Sequence, residues 1–174
     1  MELNDAIRLI SHQDFEPKNK TNWIDLGAGS GTFTLALASL LSHENHIYAV
    51  DTNANALKNI PASYNSVAIE KIIADFTKDE LPLQAVNGVM LANSLHFVQD
   101  QEAFIKQLKN KIAADSYFLV IEYDSNQANQ WVPYPINFQK LKILFSATGF
   151  KTITRLNVMP SIYGNRQIYA AFMS

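Results

Sequence analysis

Cysteine is absent from this chain, which excludes disulfides and thiolate metal sites and is compatible with a reducing cytoplasm. No metal site is expected. Long apolar runs are missing too: none approaches the roughly 18 residues that a membrane span requires. The start, Met1-Glu2-Leu3-Asn4-Asp5, lacks the basic head and apolar middle of a secretory leader, so the expected location is cytoplasmic. Nor is there an excess of positive charge. Fourteen Lys and Arg stand against 16 Asp and Glu, for a net charge of −2, which argues against a phosphate backbone as partner. The densest basic group, Lys106, Lys109 and Lys111, reads as a solvated helix face. Repeats, low-complexity tracts and linkers are likewise absent. At 174 residues and 48% hydrophobic, residues 1–174 are expected to form one domain with a sizeable core.

What is present is organised around Trp23-Ile24-Asp25-Leu26-Gly27-Ala28-Gly29-Ser30-Gly31-Thr32-Phe33-Thr34. Trp23 to Leu26 reads as the end of a buried strand, and Thr32 to Leu41 has helical periodicity. A strand that enters a helix through a glycine turn is a cradle for a small ligand, because backbone can approach the ligand closely and the helix start offers free N–H groups.

Further strands are expected at 46–51, 67–74, 88–92, 117–123, 151–158 and 167–172, and helices at 3–12, 32–41, 55–60, 101–113 and 136–148. Phe104, Ile105, Leu108 and Ile112 mark the clearest amphipathic helix, and Gly149 is placed to terminate the last one. Apolar strands alternating with helices predict an α/β fold of three layers, a doubly wound and mostly parallel sheet. The last two strands have too short a link for a helical crossover, so one of them should run antiparallel.

The glycine spacing is G-x-G-x-G, with Thr32 where a dinucleotide fingerprint would place its third small residue. Asp25, two residues before the first glycine, would repel a pyrophosphate and suits a cationic ligand. Here the chain closely resembles the class I S-adenosylmethionine (SAM)-dependent methyltransferases, whose first motif runs D/E-x-G-x-G-x-G. The resemblance extends from about Trp23 to Phe172 and implies a seven-stranded sheet whose last strand inserts beside the fifth. It implies SAM as cofactor, with S-adenosylhomocysteine as product.

Carried over position by position, it places the methionine end of the cofactor on Gly27, Ala28, Gly29 and Gly31, with Asp25 facing the ammonium group directly or through water. Asp51, with Thr52 beside it, would accept from the ribose, and Asp75 from the adenine amine. Phe76 would offer its N–H and ring to the adenine, while Asn93 and Ser94 would line the sulfonium pocket. Each acid alone also reads as a helix cap or turn residue; their recurrence at successive strand tips favours the cofactor. A nicotinamide enzyme is the competing reading, since Asp51 would also serve an NAD ribose. Asp25, Thr32 and the lack of a Tyr-x-x-x-Lys set weigh against it, Tyr64 and Lys71 having the wrong spacing.

For the acceptor, His96 in Asn93-Ser94-Leu95-His96-Phe97 is a candidate base or substrate contact, with loop orientation as the plainer alternative. Tyr123 is a second catalytic candidate, in Glu122-Tyr123-Asp124. Residues 124–135, with Trp131-Val132-Pro133-Tyr134-Pro135, form a candidate substrate loop or simply a loop anchored by aromatics. This pentapeptide and Pro160-Ser161-Ile162-Tyr163-Gly164, with Ile168-Tyr169, resemble segments of small bacterial methyltransferase-like proteins.

Only residues 1–20 and the loop after Tyr123 are available as a lid, so an open pocket is expected. That suits a bulky substrate, a homodimer completing the site, or ordering of the N-terminus on binding. The leading expectation is methyl transfer to a small organic molecule. A non-catalytic SAM-binding sensor or subunit, and a protein or RNA methyltransferase, are the alternatives.

Overall fold

The computed structural model describes residues 1–13, 15, 21–42, 44–161 and 166–174, and the backbone alone of Ala85. Its elements in chain order are α1 (Leu3–Ile10), β1 (Asn22–Leu26), α2 (Thr32–Leu40), β2 (His46–Asp51), α3 (Ala54–Leu57), β3 (Ser63–Tyr64), β4 (Val67–Ile73), β5 (Gly88–Ala92), α4 (Gln101–Lys109), β6 (Tyr117–Tyr123), α5 (Phe138–Ala147), β7 (Ile153–Pro160) and β8 (Gln167–Met173). Single 3-10 turns at Leu83–Ala85 and Leu95–Phe97 flank β5.

These form one sheet in the order β3-β4-β2-β1-β5-β6-β8-β7. Pairing is parallel from β4 through β6, while β8 runs antiparallel to both β6 and β7. The inserted antiparallel strand matches expectation. The sheet nevertheless has eight strands, not seven: β3 pairs with β4 as Ser63↔Ala68 and Tyr64↔Val67. The hairpin turn consists of Asn65 and Ser66, at φ 47° and 66°, the left-handed geometry that matches the twist of two-residue hairpins.

Alternate strand residues face opposite layers. Trp23, Ile47, Ala49, Met90 and Leu119 pack with α1 and α2, whereas Ile24, Leu26, Val50, Val89 and Phe118 pack with α4 and α5. Phe104, Ile105 and Leu108 bury the inner face of α4, each contributing roughly 1.5–3 kcal/mol relative to exposure. α1 belongs to this core. Ala6, Leu9 and Ile10 are fully buried, and the Asn157 amide on β7 donates to the carbonyls of Arg8, Leu9 and Ser11. Of the expected N-terminal lid, Met1 is the described residue that borders a cavity at the sheet's mouth.

Strand order reverses between β1 and β5, since β2 and β4 extend one way and β6 the other. Ligands of doubly wound sheets bind at that reversal, outside the C-terminal strand ends.

Candidate functional site

The glycine turn leaves β1 at this reversal. Gly27 sits at φ +88°, and a Cβ there would fall 2.6 Å from the Ser94 Cβ, so a larger residue would drive the β1 and β5 ends apart. Gly31, at φ +90°, is the N-cap of α2 and offers no side chain to cap it, leaving helix N–H groups open to the site.

Asp51 at the tip of β2 holds this turn. Its Oδ2 accepts the Gly29 N–H at 2.8 Å and its Oδ1 accepts the Asn53 N–H at 2.8 Å. Asp75 is engaged from its own loop, accepting from the Thr77 N–H at 3.0 Å, the Thr77 hydroxyl at 2.6 Å and the Lys78 ammonium at 2.7 Å. Those hydrogen bonds hold its carboxyl down at about 2. Asp51, Thr52, Asp75, Phe76, Ser94 and Gly27 are gathered around one cleft of about 410 Å³. Ser94 has its hydroxyl committed, donating to the Leu26 carbonyl at 2.5 Å.

Asp25 is fully buried. Its Oδ2 accepts the Thr34 hydroxyl at 2.6 Å, while Oδ1 is buried with no partner. Burial pushes its carboxyl up to about 7, against the lowering effect of Thr34 and with a smaller upward push from the Asp51 charge. Asn93, at φ 53°, likewise has a buried Oδ1 without a partner. Both border a cavity of about 240 Å³ that includes Ala28, Gly29 and Met1. A buried unpaired acceptor costs on the order of 1–3 kcal/mol. Two of them beside a glycine turn call for a ligand with several donors, and an ammonium group has three.

The third space is larger and of different character, about 770 Å³, bordered by Asn93, His96, Tyr123, Trp131, Val132 and Arg166. Asn93 borders all three spaces. His96 is only 3% exposed and its Nδ1 lies 2.7 Å from Glu122 Oε2, with Glu122 1% exposed. The other carboxylate oxygen accepts the His96 backbone N–H at 3.1 Å. Val132 is buried and Trp131 is 71% exposed at the rim; the Tyr134 N–H donates to the His96 carbonyl, which ties the loop to β5.

The structure thus brings the sequence-predicted residues to one mouth, in two groups joined at Asn93, with the exception of Gly31, which lies against Ile60 and borders none of these three spaces. Sequence reasoning missed three partners. Thr34 had no signal beyond its place on the next helix. Glu122 had one, a charge within the apolar run Tyr117 to Tyr123, but its partner is 26 residues away. Arg166 adjoins Ile162, Tyr163 and Gly164, part of the second expected segment, which lie outside the described residues.

Solved structures share this architecture. A SAM-dependent methyltransferase from Aquifex aeolicus is 14% identical, with a TM-score of 0.63 and full coverage of both chains. A phosphoethanolamine N-methyltransferase of Haemonchus contortus, in complex with S-adenosyl-L-methionine, is 13% identical with a TM-score of 0.72, over 98% of this chain and 52% of that one. An arsenic(III) SAM methyltransferase of Chlamydomonas reinhardtii is 13% identical with a TM-score of 0.64, over 95% of this chain and 65% of that one. At these identities the likeness establishes the fold. No curated protein sequence matches the chain.

A sheet wound in this order, with its glycine turn at the strand reversal, is the fold of the class I SAM-dependent methyltransferases. Residues 24–114, just over half of the chain, match the methyltransferase domain profile, and the chain belongs to that family. Its cofactor is SAM, and the unpartnered oxygens of Asp25 and Asn93 fit the ammonium of that molecule. Among the described residues no helix is long and apolar enough to cross a membrane.

Proposed function

We propose that the chain methylates a small organic acceptor held in the space beyond Asn93. The observation that carries this reading is the junction itself: a cavity of about 770 Å³ with aromatic walls meets the cofactor clefts at one side chain. Its size falls within the usual range for small-molecule sites, about 300–1,000 Å³.

In this reading Asp25 and Asn93 receive the ammonium group and the backbone of Gly27, Ala28, Gly29 and Gly31 cradles the methionine end. Asp51 and Thr52 take the ribose, Asp75 and Phe76 the adenine, and Ser94 keeps the β1 and β5 ends together beneath them. When bound, the cofactor supplies a methyl group on a sulfonium, already activated for in-line displacement. The chain's own task is alignment and exclusion of water, and alignment alone is worth up to about 7–11 kcal/mol in the best intramolecular cases. His96 serves as proton acceptor, which typically adds about 10²–10⁴-fold. Tyr123 walls the acceptor beside it, and the 124–135 loop closes over it through Trp131.

The net charge of −2 and the apolar character of the walls favour a small molecule over a nucleic acid. The exposed rim at Trp131 also suits completion by a second copy of the chain, which light scattering with and without cofactor reads directly.

The test is twofold. Calorimetry should show S-adenosylhomocysteine binding and no tight NADH binding, and labelled methyl should pass from SAM to a component of a metabolite extract. Binding without transfer to any acceptor would establish the sensor reading instead, and transfer to protein or RNA alone would refute the small acceptor.

A further inference from the structure

Glu122 is the feature of the acceptor space that alignment does not explain. A carboxylate buried in an apolar strand is costly unless its oxygens are hydrogen-bonded, and both of these bond to one residue: Oε1 to the His96 backbone N–H at 3.1 Å, Oε2 to His96 Nδ1 at 2.7 Å. A proton on Nδ1 lets both carboxylate oxygens act as acceptors, which is the arrangement these two contacts suit. The neutral ring then has its lone pair on Nε2, which has no hydrogen-bond partner among the described residues, and His96 borders the cavity.

Glu122 lies behind His96, and the charged residue that borders the cavity is Arg166, whose guanidinium makes no hydrogen bond or ion pair among the described residues. The remaining ionisable neighbours are accounted for. Tyr123 adjoins Glu122, and Tyr169, paired with Glu122 across β6 and β8, donates its hydroxyl to the Ile136 carbonyl at 2.9 Å. Burial and the charges of Glu122 and Asp124 push the Tyr169 phenol upward, so it stays neutral. Asp124 is paired with Arg155 at 2.6 Å.

Resting on the methyltransferase reading above, we propose that Glu122 fixes His96 as a proton acceptor at Nε2 and that the methyl acceptor is a planar hydroxy acid, a phenol or enol whose anionic group is received by Arg166. Each element of that class answers to a residue. A phenol ionises near pH 10 and imidazole near 6.5, close enough for proton transfer during the reaction; an aliphatic alcohol is far less acidic, and a thiol needs no base. An ammonium-bearing acceptor would meet the charge of Arg166. Trp131, Tyr123 and Val132 supply flat, apolar walls. The acceptor oxygen forms its bond to the methyl carbon as the carbon–sulfur bond breaks, with that electron pair staying on sulfur. The hydroxyl proton passes to Nε2, the imidazolium faces the Glu122 carboxylate, and the proton then leaves to solvent. Glu122 is a positioning residue; His96 touches the acceptor.

The test pairs nitrogen NMR of the imidazole with kinetics on a panel of hydroxybenzoates, hydroxycinnamates and enol acids, with amines and thiols as controls. Neutral His96 should carry its proton on Nδ1 in the wild type. Glu122→Gln keeps an acceptor for the backbone N–H but presents an amide donor to Nδ1, so the proton should move to Nε2. Turnover should then fall about 100-fold or more, with adenosylhomocysteine affinity unchanged and the deficit shrinking as pH rises toward the acceptor's own ionisation. Arg166→Gln should raise KM about tenfold for the acid while leaving KM for its methyl ester alone.

A wild-type proton on Nε2, or full turnover in Glu122→Gln, overturns the proton-acceptor assignment; should that variant not fold, the wild-type spectrum decides it. Transfer confined to amines or thiols, or Arg166→Gln without effect on the acid, overturns the acceptor class. Failure of the wild type to bind adenosylhomocysteine would instead bring down the methyltransferase reading beneath it.

Discussion

The two halves of this mouth are held in different ways. On the β1, β2 and β4 side the outer acids bond within their own loops, Asp51 taking the N–H two residues on and Asp75 its donors from Thr77 and Lys78. The glycine turn there is tied across the sheet, by Asp51 to Gly29 and by Val50 to Gly27 and Ala28. On the β5 and β6 side the partners are far apart in the chain. Glu122 reaches His96 across 26 residues, and the Gln101 side chain reaches the Tyr134 carbonyl across 33. The cofactor half thus carries short-range patterns, glycines and strand-tip acids, that are visible in the chain, although packing completes them. The proposed acceptor half is assembled from loops on a rigid sheet, where specificity can be changed without disturbing the fold.

Asp25 offers the largest test of this contrast, because it is the acid of the cofactor half left unsatisfied. Its carboxyl is raised from 3.8 to about 7. The folded protein thus holds this proton between those values while the unfolded chain releases it. The stability it contributes is full below pH 3.8 and is lost as pH rises through 7, by on the order of 4 kcal/mol at most. Denaturation at pH 5 and pH 8 should show about 3 kcal/mol of that loss in the cofactor-free wild type and not in Asp25→Asn; an equal loss in both would refute it. Binding of a cation has the opposite sign. Cofactor affinity should increase as pH rises toward 7, with a proton released on binding, which calorimetry in buffers of different ionisation enthalpy measures.

Next in size is Gly27→Ala. The substitution forces a left-handed backbone on a residue with a side chain and a 2.6 Å contact with the Ser94 Cβ, for a combined cost of about 3 kcal/mol. Thermal unfolding would read it, and Ser94→Gly should recover only the contact part. Asp51→Ala should cost about 2 kcal/mol of cofactor affinity, in part because the Gly29 N–H loses its acceptor. Unchanged adenosylhomocysteine binding would remove Asp51 from the site.

The same contrast explains what could be read beforehand. The strands, the reversal and the acids of the cofactor half announce themselves because their patterns span a few residues. β3 escaped notice because two residues around Asn65-Ser66 carry little pattern. Asp25 was legible as a candidate, but its burial was not: that depends on Thr34 and Asp51, which only the packing of α2 and β2 brings alongside. For the acceptor half, His96 and Trp131 stood out as residue types, whereas their relation to Glu122 and Arg166 exists only after β6 and β8 pair.

Trp131 gives the smallest effect and the finest test. Its ring is 71% exposed at the rim of the acceptor cavity, so truncation removes little buried area and Trp131→Ala should leave folding stability within about 0.5 kcal/mol of wild type. The backbone that places the ring is held independently, since the Trp131 and Val132 N–H groups both donate to the Asn129 side chain at 2.9 Å. The loop should therefore keep its shape without the indole. If the ring closes over a flat acceptor, its loss weakens a contact made equally in ground and transition states. KM should then rise by about 1 kcal/mol in free-energy terms with kcat unchanged. A fall in kcat at constant KM would instead put Trp131 in the alignment of the reacting atoms, beside His96, and the rim of this mouth would be built to a fixed geometry as well.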